Sequence, residues 1–411
     1  MRKITVIAFV LAALALAACG PEDDEEEPGG PAIEITIATP VSLPLTPTNP
    51  AVDPAAAFDG AKLYVVYAQE DGTGSHDIVF AEQPVGGAFS SPVVVEATGG
   101  LDSRNPHCAL DSTGTLHIVW EEATGTANRE IHYATRTSAG VIVSQNLTAT
   151  ASEDEAGPRV YVDKSDRVHI VWESAGDIWY RRRTTSFQAA VMLPHTATGT
   201  IGNSADVTGD SQDRIYVTWV ESIGVNQNLR ILRANPGGSF AEVSTDGLAQ
   251  RGSVIMSQPR LAGGASGQVF LAFIAQDSSG DRALAFCATV DGGATFSVPS
   301  IIYGADAPNI RDPYIAVRSR AGDTNLTIML AINDGSTAGG NIQLYASRDS
   351  GLNFSGGAHN ISAIDTTAGQ NSAPVIALDD DSLAAAWIGK PAAGGVLRIM
   401  TSVSSYALPS E

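Results

Sequence analysis

A chain of 411 residues that is 44% apolar has ample material for a large core, or for two or three ordinary domains. Its formal net charge of −21 sets the surface against phosphate backbones and excludes nucleic acid as a natural partner. Glycine is abundant at 41 residues, aromatics make up only 6%, and strongly helical segments are missing after the first twenty residues; that balance suits many short strands joined by turns.

Met1-Arg2-Lys3 is a short positive stretch, and Ile4 to Ala15 is an apolar run too short to span a bilayer stably but suited to export. Leu16-Ala17-Ala18-Cys19 follows, and small residues before a cysteine at this place resemble the bacterial lipobox. The resemblance implies removal of residues 1–18 and lipidation of the Cys19 thiol, with acyl chains holding a soluble domain to a membrane. The other reading is an ordinary signal peptide that contains a cysteine. Gly20 is not an aspartate-type retention signal, which points to the bacterial cell envelope at the outer membrane, facing the periplasm or the cell surface. Residues 19–31 carry Glu22-Asp23-Asp24-Glu25-Glu26-Glu27 and then Pro28-Gly29-Gly30-Pro31, a self-repelling run that cannot pack and reads as a disordered tether, or as an acidic export tag.

From residue 32 a period governs the chain. Leu116-His117-Ile118-Val119-Trp120-Glu121-Glu122 returns as Val168-His169-Ile170-Val171-Trp172-Glu173 and as Ile215-Tyr216-Val217-Thr218-Trp219-Val220-Glu221, with looser copies ending at Tyr67, Phe273, Leu330 and Trp387. Each copy is apolar at nearly every position, as a strand buried on both faces should be. A short strand precedes it, usually entered through a proline (Pro54, Pro106, Pro158, Pro259, Pro313, Pro374; Ala205 in the fourth repeat), and two more strands follow. Four antiparallel strands repeated about every 50 residues predict an all-β, seven-bladed β-propeller over residues 32–405, with 406–411 a C-terminal tail. The seventh repeat lacks its fourth strand, and Ile33 to Ala38 is expected to supply it and close the ring.

Thr289-Val290-Asp291-Gly292-Gly293-Ala294-Thr295-Phe296 and Ser347-Arg348-Asp349-Ser350-Gly351-Leu352-Asn353-Phe354 carry a further signature. Both resemble the Asp-box, Ser/Thr-x-Asp-x-Gly-x-Thr-Trp/Phe, of sialidase-like propellers, and Arg233 to Phe240 is a decayed copy. The resemblance implies a structural turn in which Asp291 and Asp349 accept backbone N–H groups, Gly293 and Gly351 permit positive φ, and Phe296 and Phe354 pack beneath the hairpin. It also implies that an active sialidase would need an arginine triad, a Tyr/Glu pair and an Asp acid. The family's early Arg-Ile-Pro motif is absent, and no arginine occurs between Arg2 and Arg104. The expected role is therefore a non-catalytic surface module for a glycan or an envelope or extracellular protein, against a divergent glycoside hydrolase or lyase and a structural envelope component.

First strands begin and second strands end on the same side of an antiparallel blade. That places Arg104, Asn105, His107, Arg159, Gln258, Arg260, Arg311, Asp312, Tyr314 and Asn371 at one mouth with Glu121, Glu122, Glu173 and Glu221. Such a set can bind a charged or hydroxylated ligand, can catalyse, or can pair internally and do nothing more. Asp379-Asp380-Asp381 lacks the spacing of a calcium loop and reads as a solvated turn; Arg181-Arg182-Arg183 reads as an exposed strand end. The seven histidines are scattered without metal-ligand spacing, no cofactor is implied, and a monomer is expected. Cys108 and Cys287, three repeats apart, are expected to be buried thiols, although a disulfide between them is the alternative.

Overall fold

The computed structural model describes residues 33–43, 49–96, 100–125, 128–150, 153–195, 201–223, 226–243, 255–265, 267–304, 309–319, 326–335, 340–362, 372–389 and 396–407. Cys19, the acidic run, Asn371 and residues 408–411 lie outside the described residues. The described chain forms seven antiparallel sheets arranged as a seven-bladed propeller. The inner strands are Ala51–Phe58, Ser103–Leu110, Glu155–Val162, Ile201–Gly209, Ile255–Gly263, Arg311–Arg318 and Ser372–Leu378. Each packs against the next, and the seventh packs back against the first, so the ring is closed.

The period marks what lies between the blades. Tyr67, Trp120, Trp172, Trp219, Phe273, Leu330 and Trp387 are all at most 2% exposed. Seven apolar clusters fill the seven inter-blade spaces; Val119, Ile131 and Tyr133 of blade 2, for example, meet Val160, Ile170 and Trp172 of blade 3. Cys108 and Cys287 are buried free thiols, and burial pushes Cys108 up to about 12.

Closure uses the N-terminal strand. Glu34–Thr36 pairs antiparallel with the last strand, Arg398–Ala407, and Val41–Ser42 joins the same edge further along. The last strand continues to Ala407 because Glu34 and Ile35 pair with Ala407 and Tyr406.

Prolines do not start the inner strands; they sit within them, at a bulge. The pairing register of the inner strand shifts in all seven blades, between Val52 and Ala55, Arg104 and His107, Ala156 and Arg159, Asn203 and Asp206, Ser257 and Arg260, Arg311 and Tyr314, and Ser372 and Val375. One residue at each bulge has positive φ: Asp53, Asn105, Gly157, Ser204, Gln258, Asp312 and Ala373. In six blades the next residue is proline, which has no N–H for the ladder to lose.

At the opposite end, the turns after the inner strands of blades 2 and 3 are organised by aspartates. Asp111 Oδ1 accepts the N–H of Thr113 at 2.9 Å and of Thr115 at 2.8 Å; Oδ2 faces His117 Nε2 at 3.3 Å, and His117 Nδ1 meets the Tyr133 hydroxyl at 2.6 Å. Asp163, His169 and Tyr180 repeat this at 2.9 and 2.7 Å. Burial holds both histidines below the ordinary 6.5, against the pull of Asp111 and Asp163. For Asp163, burial pushes upward, but hydrogen bonds from His169 and Arg167 outweigh it and hold the carboxyl at about 2. Below pH 6.5 the unfolded chain takes up protons that the folded His117 and His169 refuse, so stability falls as pH falls. The Asp163 contribution is lost lower, between about 4 and about 2. The melting temperature is expected to drop by roughly a few degrees between pH 7 and 5, and the His117→Gln, His169→Gln double variant should flatten that slope. An equally steep slope in the double variant would remove the histidines as its cause.

The turns joining third and outer strands in blades 5 and 6 share one pattern. Asp291 accepts the Thr289 hydroxyl at 2.7 Å and both the N–H (3.0 Å) and hydroxyl (2.7 Å) of Thr295; Asp349 does the same with Ser347 at 2.8 Å and Asn353 at 2.8 and 2.7 Å. Gly293 and Gly351 donate their N–H groups back to Thr289 and Ser347. A Cβ at Gly351, which has φ +85°, would fall 2.5 Å from Phe286 Cζ. Phe296 is buried, and Phe354 stands edge-on to Phe286 at 5.0 Å.

Candidate functional site

The bulge sets which side chain enters the central channel. Two residues beyond each positive-φ position stand Ala55, His107, Arg159, Asp206, Arg260, Tyr314 and Val375 in blade order, of which His107, Asp206, Arg260 and Tyr314 line the central cavity. The next inward positions are Ala57, Ala109, Tyr161, Thr208, Ala262, Ala316 and Ala377, five of them alanine. Large polar side chains therefore sit above a small-residue chamber. The cavity is about 290 Å³ and is lined by His107, Asp206, Arg260 and Tyr314 with Ala109, Tyr161, Thr208, Ala262, Ala316 and Ala377. It lies at the small end of ligand sites, about 300–1,000 Å³.

The polar layer is cationic in a strongly acidic protein. Among the described residues, no carboxylate lies within 4.0 Å of the guanidinium of Arg159 or of Arg260; their recorded partners are the carbonyls of Pro158 at 3.0 Å and Pro259 at 2.8 Å. Burial pushes the Arg260 guanidinium down, and the like charge of Arg159 adds to that. Asp206 spends one oxygen on the Leu261 N–H at 2.8 Å, and burial raises its carboxyl against the pull of Arg260 and Arg159. His107 is pushed well below 6.5 by burial and then by the two arginines. Its Nδ1 accepts the Val160 N–H at 3.2 Å, which leaves the proton of the neutral ring on Nε2 as a donor. Burial, with help from Asp206, pushes the Tyr314 phenol up to about 12. One cation, two neutral donors and a hydrogen-bonded acid thus line one small space, with a second cation, Arg159, near enough to act on all of them, and such a set can recognise an oxyanion that also bears hydroxyls.

The structure places the other candidates elsewhere. Arg104 is on the rim, paired with Asp102 at 3.2 Å and Asp53 at 3.9 Å. Arg311 reaches Asp312 at 3.6 Å and the Asn309 carbonyl at 3.3 Å. The four glutamates are outside the cavity lining, and Glu121 and Glu173 join neighbouring blades. Glu121 Oε1 accepts the Gly157 N–H at 2.7 Å and Asn105 Nδ2 at 2.8 Å, and Glu173 Oε1 accepts the Ser204 N–H at 2.7 Å. Gly157 is a glycine for two reasons, φ +61° and a Cβ position 2.8 Å from Glu173 Oε1. Glu122 takes the Ser103 hydroxyl at 2.5 Å and Trp120 Nε1 at 2.9 Å, while Glu221 lies near Arg230 at 3.7 Å and His195 at 3.3 Å. Asp312 bridges its neighbours, its N–H going to Gln258 Oε1 at 3.0 Å and its carboxylate taking the Ala373 N–H at 3.2 Å. Asp379 and Asp380 of the acidic triplet are each 2.9 Å from Arg318.

Asp206 is the site residue that sequence reasoning missed. The signal was present: it occupies, after Ala205, the place that arginine, histidine or tyrosine takes after proline in blades 2, 3, 5 and 6.

No protein-family model matches the chain, and no curated protein matches it. Solved structures do. A protein of unknown function from Dyadobacter fermentans DSM 18053 is 13% identical, with a TM-score of 0.56 over 91% of this chain and 99% of that one. The Hadza microbial sialidase Hz136 is 11% identical, with a TM-score of 0.54 over 84% and 73% of the two chains. The polysaccharide lyase Uly1 is 9% identical, with a TM-score of 0.54 over 85% and 89%. What the chain has in common with these three is the sialidase-like propeller fold.

Proposed function

We propose that the protein binds an acidic saccharide at the channel, as an exported surface module. The observation that carries this reading is the pair Arg159 and Arg260: Arg260 lines the small cavity, Arg159 is near enough to repel it, and among the described residues neither guanidinium has a carboxylate within 4.0 Å. His107 and Tyr314 add neutral donors for hydroxyl groups. A sialidase and a polysaccharide lyase on the same fold fit the choice of a glycan. The turns at Asp291 and Asp349 serve as structural Asp-boxes in this reading. The test is a binding screen of the soluble chain against uronate-bearing, sialylated, sulfated and neutral glycans. Retention of acidic glycans over neutral ones supports the reading, and equal retention of both ends it.

Turnover of the bound saccharide is the second reading, favoured by the raised Asp206 carboxyl beside two arginines. A hydrolysis and elimination screen on the glycans that bind separates the two.

The lipobox-like Leu16-Ala17-Ala18-Cys19 supports an anchor on a membrane of the bacterial envelope through a lipidated Cys19, with residues 20–31 as spacer. Cys19→Ser is expected to move the protein from the membrane to the soluble fraction; unchanged membrane retention would sink the lipid anchor.

A further inference from the structure

The direction of the strands fixes which face the N-terminal segment leaves from. In blade 1, Glu70 pairs with His76 at the mouth and Lys62 with Pro84 at the far end, so second strands run towards the mouth and third strands away from it. In blade 7 the third strand, Arg398–Ala407, likewise ends at the far face, and Glu34 pairs with its final residue, Ala407. Everything upstream of Ile33 therefore joins the propeller at the face opposite the mouth.

That same face carries exposed apolar tips. The turns between third and outer strands present Val85 in blade 1, Val141 in blade 2, Val290 in blade 5 and Leu352 in blade 6, exposed by 48%, 57%, 68% and 83%. Blades 5, 6, 7, 1 and 2 are consecutive around the closed ring, and the tether joins the middle one. The corresponding turns of blades 3 and 4, at Thr184-Thr185-Ser186 and Asn235-Pro236-Gly237, are without such a tip. Single exposed valines and leucines are ordinary, but four within the far-face turns on one arc about the tether form a pattern.

We propose that this arc is a membrane-seating surface: the four tips rest in the interfacial layer of the bilayer, and the channel mouth faces away from it. The inference rests on the lipid-anchor reading, which supplies the bilayer. The tether of 14 residues from Cys19 to Ile33 reaches at most about 50 Å, and blades with strands of eight residues stand about 27 Å tall. Anchored at the far face, the propeller settles on its apolar tips, with the polar layer of Arg260 and Tyr314 on the mouth side of the small-residue chamber.

The experiment uses the lipidated full-length protein on phosphatidylcholine vesicles that carry a trace of acceptor-labelled lipid. A donor dye is placed at Ser278→Cys, exposed at the mouth end of blade 5, or at Ala294→Cys, exposed on the far turn of the same blade. The buried thiols of Cys108 and Cys287 do not compete for label. Energy transfer from position 294 is expected to exceed that from 278 at least twofold. Replacing all four tips by serine should lower transfer from 294 by about half while the protein still floats with the vesicles. Equal transfer from both positions, greater transfer from 278, or no effect of the tip substitutions overturns the inference. The anchor is tested separately: Cys19→Ser should stop flotation. If that variant still floats, the anchor reading falls, and the two dye positions on the bound chain still decide which face meets the bilayer.

Discussion

Replacing Arg159 and Arg260 together by methionine is expected to weaken binding of an acidic saccharide more than about 100-fold without lowering the melting temperature. A hydrogen bond to a charged group contributes about 1.5–3 kcal/mol, so each loss alone corresponds to roughly 10- to 150-fold at 1.36 kcal/mol per decade. Stability should hold because, among the described residues, neither guanidinium has a carboxylate within 4.0 Å; desolvation and the like charge of Arg159 weigh on Arg260 more than the attraction of Asp206 favours it, so losing both charges relieves more than it costs. Lysine at either position keeps the charge but not the planar fork and should restore affinity only in part. Arg104→Met is the control. Arg104 is engaged by Asp102 and Asp53 on the rim, and its loss should change affinity by no more than a few-fold. If the double variant binds the acidic ligand as tightly as the parent, the channel is not the site. If it unfolds, the arginines are structural, and the binding reading loses its carrying observation.

The fold was legible because it is written in a period. Trp120, Trp172 and Trp219 return at nearly constant spacing because each must fill the same wedge between blades, and one geometry demands one kind of residue. The closing strand was legible by elimination, since the last repeat lacked a partner for its edge. The site was legible only in part. Arg159 and Arg260 stand next to repeat prolines and were found there, but Asp206 hides behind Ala205, where the proline marker fails. The glutamates were placed at the mouth because they follow the tryptophans. Chain position cannot tell a side chain that enters the channel from one that turns between blades. What turns Glu121 and Glu173 is the bulge, which leaves the N–H groups of Gly157 and Ser204 in need of acceptors. A two-against-one register has no signature in hydrophobic alternation. The only trace of it was the proline, read as a strand entry rather than as a residue chosen for lacking an N–H.

Removing residues 33–43 from the chain is expected to lower the melting temperature by about 10 °C and to promote self-association. Ile33 and Leu43 are 3% and 1% exposed, and Ile35 and Ile37 are packed against the same blade. At about 1.5–3 kcal/mol for each fully buried aliphatic side chain, and less for the two partly buried ones, the segment contributes roughly 6–8 kcal/mol. Unfolding entropy of about 2.1 cal/mol/K per residue converts that, for a domain of this size, to a shift of the order of 10 °C. Backbone bonds go as well. Leu43 N–H donates to the Ile399 carbonyl at 3.0 Å, and the Ser402 hydroxyl donates to the Ala38 carbonyl at 3.2 Å. Truncation exposes Arg398–Ala407 as a long unpaired edge, which other chains can extend. Leu43→Ala separates burial from edge protection. It should cost about 2–5 kcal/mol yet leave the parent's association state unchanged, because the strand itself remains. Calorimetry and size-exclusion chromatography read both effects. A truncated chain that melts and elutes with the parent would show that the propeller closes without its N-terminal strand, and that the pairing of Glu34 to Thr36 with the last strand contributes little to the ring.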